Sequence, residues 1–356
     1  MSLCRLPSGP ADDRWATSLY PEGSRGRQSQ ARRSRRPPVD PRATSVLLFP
    51  GQGAQRVGMA DALLPFPHVA DMFEEASALL GYDLLALCRD GPARELDRTD
   101  RAQPALLVTS LAAVERLREE RPRVVESCMA AAGFSVGELA ALAFAGALSF
   151  RDAVRLARVR GEAMQLAAEL APSGMMTVIG RPEARVGFAC ALARRWCEEH
   201  GVEGADCRVS AFLFPQCKVV AGSAEALEFI EQRAAEFGLR RCTRLRVAGA
   251  FHSELMRPAV EPLRAALRRT KITAPRVPVY SNVDARRYRS AEQVRRQLVL
   301  QLTRPVKWEQ TMHVLYERSP DVPFPMTFEC GPGSSLKTIL GKVNAKAADS
   351  CESVPT

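Results

Sequence analysis

A glycine-flanked serine constrains the fold of this chain more than any other feature of its sequence. The motif Gly133-Phe134-Ser135-Val136-Gly137 precedes a helical pattern over residues 138–144. Before it, we expect Val124-Val125 and Cys128-Met129-Ala130-Ala131-Ala132 to form a buried strand. A strand that turns sharply into a helix requires glycine on both sides of the serine, because a Cβ would crowd the neighbouring backbone. The pattern predicts a nucleophile elbow, with the hydroxyl at a helix N-terminus where N–H groups can stabilise an oxyanion.

The composition limits the class of protein. A chain of 356 residues with 46% apolar residues can form one large domain with an inserted subdomain. No apolar run reaches the roughly 18 to 20 residues that cross a bilayer, so we expect no membrane span. The ten cysteines form no CxxC pair, so we expect neither a structural metal nor a disulfide framework. The net charge of +10 is divided equally between residues 1–45 and the rest of the chain, and the modest basic excess of the latter favours an acidic protein or a phosphorylated small molecule as partner. Nucleic acid is disfavoured, because basic stripes with interleaved aromatics are missing from the sequence.

The two ends of the chain differ in composition from the rest. Residues 1–45 are rich in Arg, Ser, Pro and Gly, contain no Lys and lack hydrophobic periodicity, which predicts a disordered tail. The same composition is typical of a mitochondrial presequence, although Asp12, Asp13 and Glu22 argue for an uncleaved disordered tail instead. Residues 346–356 are predicted to form a disordered C-terminal tail.

Between the tails the element pattern predicts an α/β fold with a second, smaller unit. Segments 46–171 and 248–345 alternate strands and helices and predict the large α/β domain. Segment 172–247 shows a βαββαβ order, with its last strand expected at 243–247, and predicts an inserted ferredoxin-like subdomain.

A serine nucleophile needs a base, and the chain offers four histidines. His68, His200 and His313 lie at or within predicted helices and have ordinary surface, capping or packing interpretations. His252 lies in the small-residue loop Gly249-Ala250-Phe251-His252-Ser253, which follows an apolar strand. Catalytic groups concentrate in such loops, so His252 is the candidate base, with a purely structural loop histidine as the alternative.

Five motifs in order carry a family resemblance across about residues 45 to 340. They are Phe49-Pro50-Gly51-Gln52-Gly53, Gly133-Phe134-Ser135-Val136-Gly137-Glu138, Val159-Arg160-Gly161-Glu162-Ala163-Met164, Ala250-Phe251-His252-Ser253 and Glu329-Cys330-Gly331-Pro332-Gly333. With this set the chain resembles the malonyl-CoA:acyl carrier protein transacylase family, and its basic N-terminus makes it most similar to the mitochondrial form. It departs from the common bacterial pattern at Phe134, where histidine usually precedes the serine. That position is not the base, so the mechanism is unaffected.

The resemblance implies a hydrolase-like α/β domain with an inserted ferredoxin-like subdomain and an active site between the two. It implies a Ser135–His252 dyad whose imidazole is oriented by the backbone carbonyl of Gln301 in place of a triad carboxylate. The N–H groups of Val136 and Gln52 would then stabilise the oxyanion.

The resemblance also implies how the substrate is selected. Arg160 would pair with the free malonyl carboxylate, which a planar guanidinium can hold bidentately. Phe251 would limit space near the α-carbon and disfavour methylmalonyl.

The implied reaction is a two-step transfer of malonyl from malonyl-CoA to the phosphopantetheine thiol of acyl carrier protein for fatty acid synthesis. We expect no cofactor and no metal, since CoA and phosphopantetheine enter as parts of the substrates. We expect a monomer in the mitochondrial matrix. Two other classes stay open: a serine esterase or thioesterase acting on acyl-CoA, and a noncatalytic binding module.

Overall fold

The computed structural model describes residues 40–319 and 321–356. Its strands, in chain order, are β1 (Ser45–Phe49), β2 (Cys128–Gly133), β3 (Ser173–Gly180), β4 (Cys207–Phe214), β5 (Cys217–Ser223), β6 (Leu239–Arg244), β7 (Val279–Tyr280), β8 (Val306–Lys307), β9 (Met326–Glu329) and β10 (Cys351–Ser353). Its α-helices are α1 (Val69–Leu80), α2 (Leu84–Asp90), α3 (Ala93–Leu96), α4 (Thr99–Glu120), α5 (Pro122–Glu126), α6 (Gly137–Phe144), α7 (Phe150–Glu169), α8 (Val186–Glu199), α9 (Ala224–Gln232), α10 (Val260–Arg269), α11 (Ala291–Gln301), α12 (Trp308–Tyr316), α13 (Ser335–Val343) and α14 (Ala345–Ala348). Short 3-10 helices cover Pro41–Ala43, Ala234–Phe237 and Glu254–Ala259.

The first sheet is parallel and has the strand order β10-β9-β1-β2-β7. All five residues of β1 are buried, as expected for a strand covered on both faces. The register pairs Phe49 with Gly133, so β1 and β2 end side by side. The loop at Gly51–Gly53 and the turn at Ser135 therefore meet at the carboxyl edge of the sheet, where α/β folds bind ligands.

The second sheet has the order β6-β3-β5-β4-β8. Strands β3 to β6, with α8 and α9, form an antiparallel βαββαβ unit with its own apolar core. The chain therefore has the predicted fold class, a large α/β domain with an inserted ferredoxin-like subdomain. Strand β8, which lies outside the inserted segment, pairs in parallel with β4 and extends this sheet.

Both predicted tails differ from the structure where residues are described. The C-terminal tail was predicted to be disordered, and this is wrong: α14 and β10 lie in it, and β10 pairs with β9. Burial of Cys351 and Val354 holds this strand in place. Residues 40–45, included in the N-terminal tail, contain a 3-10 helix capped by Asp40 and the first residue of β1. The rest of that predicted tail and its presequence lie outside the described residues.

Two local predictions were also wrong. Val124 and Val125 belong to α5, because Pro122 occupies the first helical turn and favours a helix over the expected strand. Strand β6 ends at Arg244 and begins four residues before the expected start at 243. The positive φ of Gly238 ends the preceding helical turn and starts the strand early.

None of the helices in the described part of the chain combines the length and apolar character needed to cross a membrane.

Candidate active site

Ser135 lies on the sharp turn between β2 and α6. Its φ is 53°, in the left-handed region that side-chain-bearing residues rarely adopt. A Cβ on Gly133 would lie 1.9 Å from the carbonyl oxygen of Gly137, and one on Gly137 would lie 2.2 Å from that of Phe49. The backbone is packed too closely for any other residue at these positions, which explains the glycine pattern of the motif.

Ser135 and His252 are within hydrogen-bond distance. Ser135 Oγ lies 2.8 Å from His252 Nε2, and His252 Nδ1 lies 2.7 Å from the backbone oxygen of Gln301. A carbonyl oxygen can only accept, so Nδ1 carries the proton and Nε2 is left free to accept from the serine hydroxyl. The group that orients the ring is a backbone carbonyl at the end of α11 and not a carboxylate.

The protonation state of His252 follows from its surroundings. Burial and the positive charge of Arg160 lower the pKa of His252 to about 4, and the hydrogen bond to Gln301 opposes this only in part. The ring is 3% exposed. His252 is therefore neutral at physiological pH, which is the form that can accept a proton.

Arg160 on α7 points into the same site and is 2% exposed, in contrast to a surface arginine. Its Nη1 donates to Gln103 Oε1 at 2.6 Å, and its Nη2 donates to Gln301 Oε1 at 2.7 Å and to Ser135 Oγ at 3.1 Å. Burial lowers the pKa of Arg160 to about 10, opposed by the charge of Glu138, so the guanidinium stays protonated at neutral pH. A fixed cation therefore lies beside the serine oxygen.

The remaining predicted residues surround the serine. Gln52 follows β1, and its side chain donates to Thr99 Oγ1 at 3.3 Å. Val136 is the first residue after Ser135 and occupies the position just before the first residue of α6. Phe251 is buried next to His252. All three line the cavity that reaches Ser135.

The cavity is narrow, with a volume of about 70 Å³, and both units of the fold contribute to it. Its apolar walls come mainly from the inserted subdomain and its neighbouring loop, through Met175, Ala211, Val219, Leu245 and Val247. The polar groups come from the large domain. The site therefore lies between the two units and suits a short acyl group with a charged end.

Several polar residues at the site were given no role by the sequence analysis. Asn282 Oδ1 accepts from the backbone N–H of Ser135 at 2.7 Å, and Asn282 Nδ2 donates to the oxygen of Gly133 at 2.7 Å. Gln103 holds Arg160, and the buried carboxylate of Glu138 contacts Gln301. Glu138 could have been noticed as the one acidic residue in the otherwise apolar helix α6.

The other three histidines lie away from this site. His68 and His313 are exposed and lie near Asp71 and Glu309, and His200 contacts the carbonyl oxygen of Trp196. Within residues 40–319 and 321–356, no group of three or more His, Cys, Asp or Glu side chains is arranged to hold a metal ion.

The chain is similar to known proteins over most of its length. Residues 46–328 match the family described as acyl transferase domain. The chain is 53% identical to the probable mitochondrial malonyl-CoA-acyl carrier protein transacylase of Drosophila melanogaster, over 88% of this chain and 83% of that protein. It is 51% identical to the mitochondrial malonyl-CoA-acyl carrier protein transacylase of Homo sapiens, over 88% and 80%. Among solved structures, a type II PKS acyl-carrier protein in complex with its malonyl-transacylase matches with a TM-score of 0.77 and 34% identity, over 88% of this chain and 96% of that chain.

Proposed function

Because the chain belongs to the acyl transferase family, and within it to the malonyl-CoA:acyl carrier protein transacylases most like the mitochondrial form, we propose that Ser135 carries malonyl from malonyl-CoA to acyl carrier protein. One observation carries the assignment of roles: Ser135 Oγ lies within hydrogen-bond distance of both a neutral histidine and a buried arginine. The first is a base and the second is a partner for an acyl carboxylate.

In the first half-reaction His252 Nε2 takes the hydroxyl proton as Ser135 Oγ attacks the thioester carbonyl of malonyl-CoA. The Oγ–C bond forms, the C–S bond breaks, and the imidazolium returns its proton to the leaving CoA thiolate. The N–H groups of Val136 and Gln52 would stabilise the tetrahedral oxyanion. The N–H of Ser135 is unsuited to this task because it already donates to Asn282.

In the second half-reaction His252 deprotonates the phosphopantetheine thiol of the carrier. The thiolate attacks the malonyl-serine ester, malonyl leaves on the carrier, and the proton returns to Ser135. Apolar walls at the cavity exclude water from the ester and favour transfer over hydrolysis. These steps need no cofactor beyond the CoA and phosphopantetheine of the substrates, and we expect full activity in the presence of a chelator.

Arg160 and Phe251 determine which acyl group is accepted. Malonyl would place its free carboxylate on the guanidinium, whereas acetyl would leave Arg160 desolvated without that partner. Phe251 fills the space next to His252 and would disfavour a branched α-carbon.

The carrier would approach along the edge strand β6, which is basic and leads to the cavity. Arg240, Arg241 and Arg246 are exposed there, while Leu245 and Val247 line the cavity mouth. This arrangement suits an acidic partner whose thiol-bearing arm passes the two apolar side chains. Charge reversal at Arg240 and Arg241 should raise the KM for the carrier and leave acylation by malonyl-CoA unchanged. Equal rates with the carrier would exclude this route.

The relatives named as mitochondrial forms support a mitochondrial location for this chain, and we propose the matrix as the compartment. Organelle fractionation with protease protection tests this. Protein recovered only outside the inner membrane would contradict it. We expect a monomer, which light scattering can measure.

The central experiment is intact-mass measurement after exposure to malonyl-CoA. The wild-type protein should gain one malonyl group, which the Ser135→Ala variant should not gain and which carrier protein should remove. A serine esterase or thioesterase is the alternative: rapid malonate release that carrier does not affect would favour it. No adduct at all would favour a binding module.

A further inference from the structure

Glu138 is a buried carboxylate beside the site, and the proposed reaction gives it no role. It lies in the first turn of α6, three residues after Ser135, and is fully buried. Tyr288 donates its hydroxyl to Oε1. Oε2 accepts from Gln301 Nε2 at 2.6 Å and from the backbone N–H of Asn282 at 3.2 Å. A carboxylate is seldom fully buried unless it is paired and hydrogen-bonded, as Glu138 is here.

The contact with Gln301 fixes the orientation of its side-chain amide. An ionised carboxylate can only accept, so the Gln301 group that faces Glu138 must be the NH₂ and not the oxygen. Gln301 Oε1 is then turned towards Arg160 Nη2, from which it accepts at 2.7 Å. With the amide reversed, an NH₂ would face the guanidinium and the hydrogen bond would be lost.

Asn282 strengthens the same orientation. Its Oδ1 accepts from Gln301 Nε2 at 3.2 Å as well as from the N–H of Ser135. The backbone oxygen of Ser135 also accepts from Gln301 Nε2, at 3.1 Å. Gln301 Nε2 thus faces three acceptors, of which Glu138 is the charged and closest one.

We propose that Glu138 is a positioning residue: by fixing the polarity of the Gln301 amide it aims Arg160 at the acyl carboxylate and so sets the preference for malonyl over acetyl. This inference rests on the proposed function. The role is indirect, because Glu138 contacts neither the serine side chain nor the cavity. The backbone carbonyl of Gln301, which orients His252, is independent of the amide orientation, so the base is unaffected.

The proposed role belongs to the ionised form of Glu138, which predominates above about pH 7. Burial raises the pKa of Glu138 to about 7, and hydrogen bonds from Tyr288, Gln301 and Asn282, with the charge of Arg160, oppose the rise. The charge of Glu138 in turn favours the protonated form of Arg160. The two buried charges are joined through one neutral amide.

The test compares Glu138→Gln with Tyr288→Phe. The first keeps size and replaces the charged acceptor of Gln301 Nε2 with a neutral amide, which weakens the contact that holds Gln301. The second is the matched control, because it removes the contact to the other carboxylate oxygen and leaves the contact to Gln301. Because the Tyr288 hydrogen bond lowers the pKa of Glu138, both variants are assayed at a pH well above 7. Single-turnover acylation of each protein by malonyl-CoA and by acetyl-CoA is followed by intact mass, and folding by thermal unfolding.

We expect Glu138→Gln to lower the malonyl-to-acetyl rate ratio about ten-fold or more, as for loss of one charge-assisted hydrogen bond. Tyr288→Phe should keep a ratio close to that of the wild type. Equal losses for both substrates, or an unchanged ratio, would overturn the inference. Failure of the wild-type protein to take up malonyl would instead contradict the proposed function.

A second variant covers the case in which Glu138→Gln does not fold. Gln301→Met removes the amide but keeps the backbone carbonyl that holds His252. It should lower the same ratio by a similar factor. Where Glu138→Gln does fold, adding it to Gln301→Met should have no further effect on the ratio, since the two act through one contact. A Gln301→Met protein with the wild-type ratio would overturn the inference by itself.

Discussion

Replacing Arg160 with alanine should change which acyl group the protein accepts more than it changes the rate of acylation itself. The side chain is buried beside Ser135 and is already held by Gln103 and Gln301. A malonyl carboxylate therefore meets an arginine that is oriented in advance, with little ordering left to lose.

The magnitude follows from the hydrogen bonds of the guanidinium. Arginine has five N–H donors, and the described residues account for three of them, on Gln103, Gln301 and Ser135. A carboxylate that replaces the bond to the serine oxygen can take that Nη2 donor together with one of the two donors that remain. Two charge-assisted hydrogen bonds at the lower end of their range contribute about 3 kcal/mol, or roughly 100-fold in rate.

The assay is single-turnover acylation of Ser135, followed separately with malonyl-CoA and acetyl-CoA. Arg160→Ala should lower the malonyl-to-acetyl ratio roughly 100-fold. Arg160→Lys is the matched control for charge: one ammonium group cannot reproduce the planar fork, so we expect an intermediate loss. Equal loss of both reactions in Arg160→Ala would refute the reasoning, because it would make Arg160 a structural residue only.

Three further predictions concern the base, the turn and the C-terminal strand. Wild-type acylation by acetyl-CoA should keep its rate down to about pH 4, below which His252 becomes protonated and inactive as a base. In Arg160→Ala the pKa of His252 should rise, so the acid limb of the acetyl-CoA profile should move to higher pH; an unmoved limb would contradict the charge effect. Gly137→Ala should prevent folding or lower the melting temperature sharply, because the new Cβ would lie 2.2 Å from the backbone oxygen of Phe49. Gly187→Ala in helix α8 is the control: the new methyl group meets open space, so thermal unfolding should show no change or a stabilisation of up to about 1 kcal/mol. Deleting residues 351–356 should lower the melting temperature, since it uncovers β9 and removes two buried side chains; an unchanged melting temperature would mean that β10 contributes nothing to stability.

The sequence was sufficient for the fold class because its elements carry strong local patterns. The glycines of the elbow and the βαββαβ order each report local geometry, and the structure has the strand–turn–helix and the βαββαβ unit at these places. The family resemblance then directed attention to Arg160 and Gln301, whose roles stay predictions until they are measured.

The parts that the sequence could not predict depend on contacts between distant residues. Glu138 and Asn282 are 144 positions apart, and no local pattern links a helical acid to a loop asparagine. Strand β10 is only three residues long, too short for a periodic signal, and forms because β9 offers an edge. In α5, Pro122 in the first turn favours a helix, although Val124 and Val125 by themselves prefer strands.

Strand β8 has a consequence for how substrates reach the serine. It begins five residues after Gln301, whose carbonyl holds His252, and pairs with β4 of the inserted subdomain. Strand β8, a segment of the large domain, is thus hydrogen-bonded to the sheet of the subdomain next to the Ser135–His252 dyad. A hinge motion that separates the inserted subdomain from the large domain would have to break the β4–β8 pairing or displace the segment that carries Gln301. We therefore expect acyl thioesters to enter past Leu245 and Val247 without a large change in the width of the cleft. The Ser135–His252 dyad should stay aligned while CoA leaves and acyl carrier protein binds.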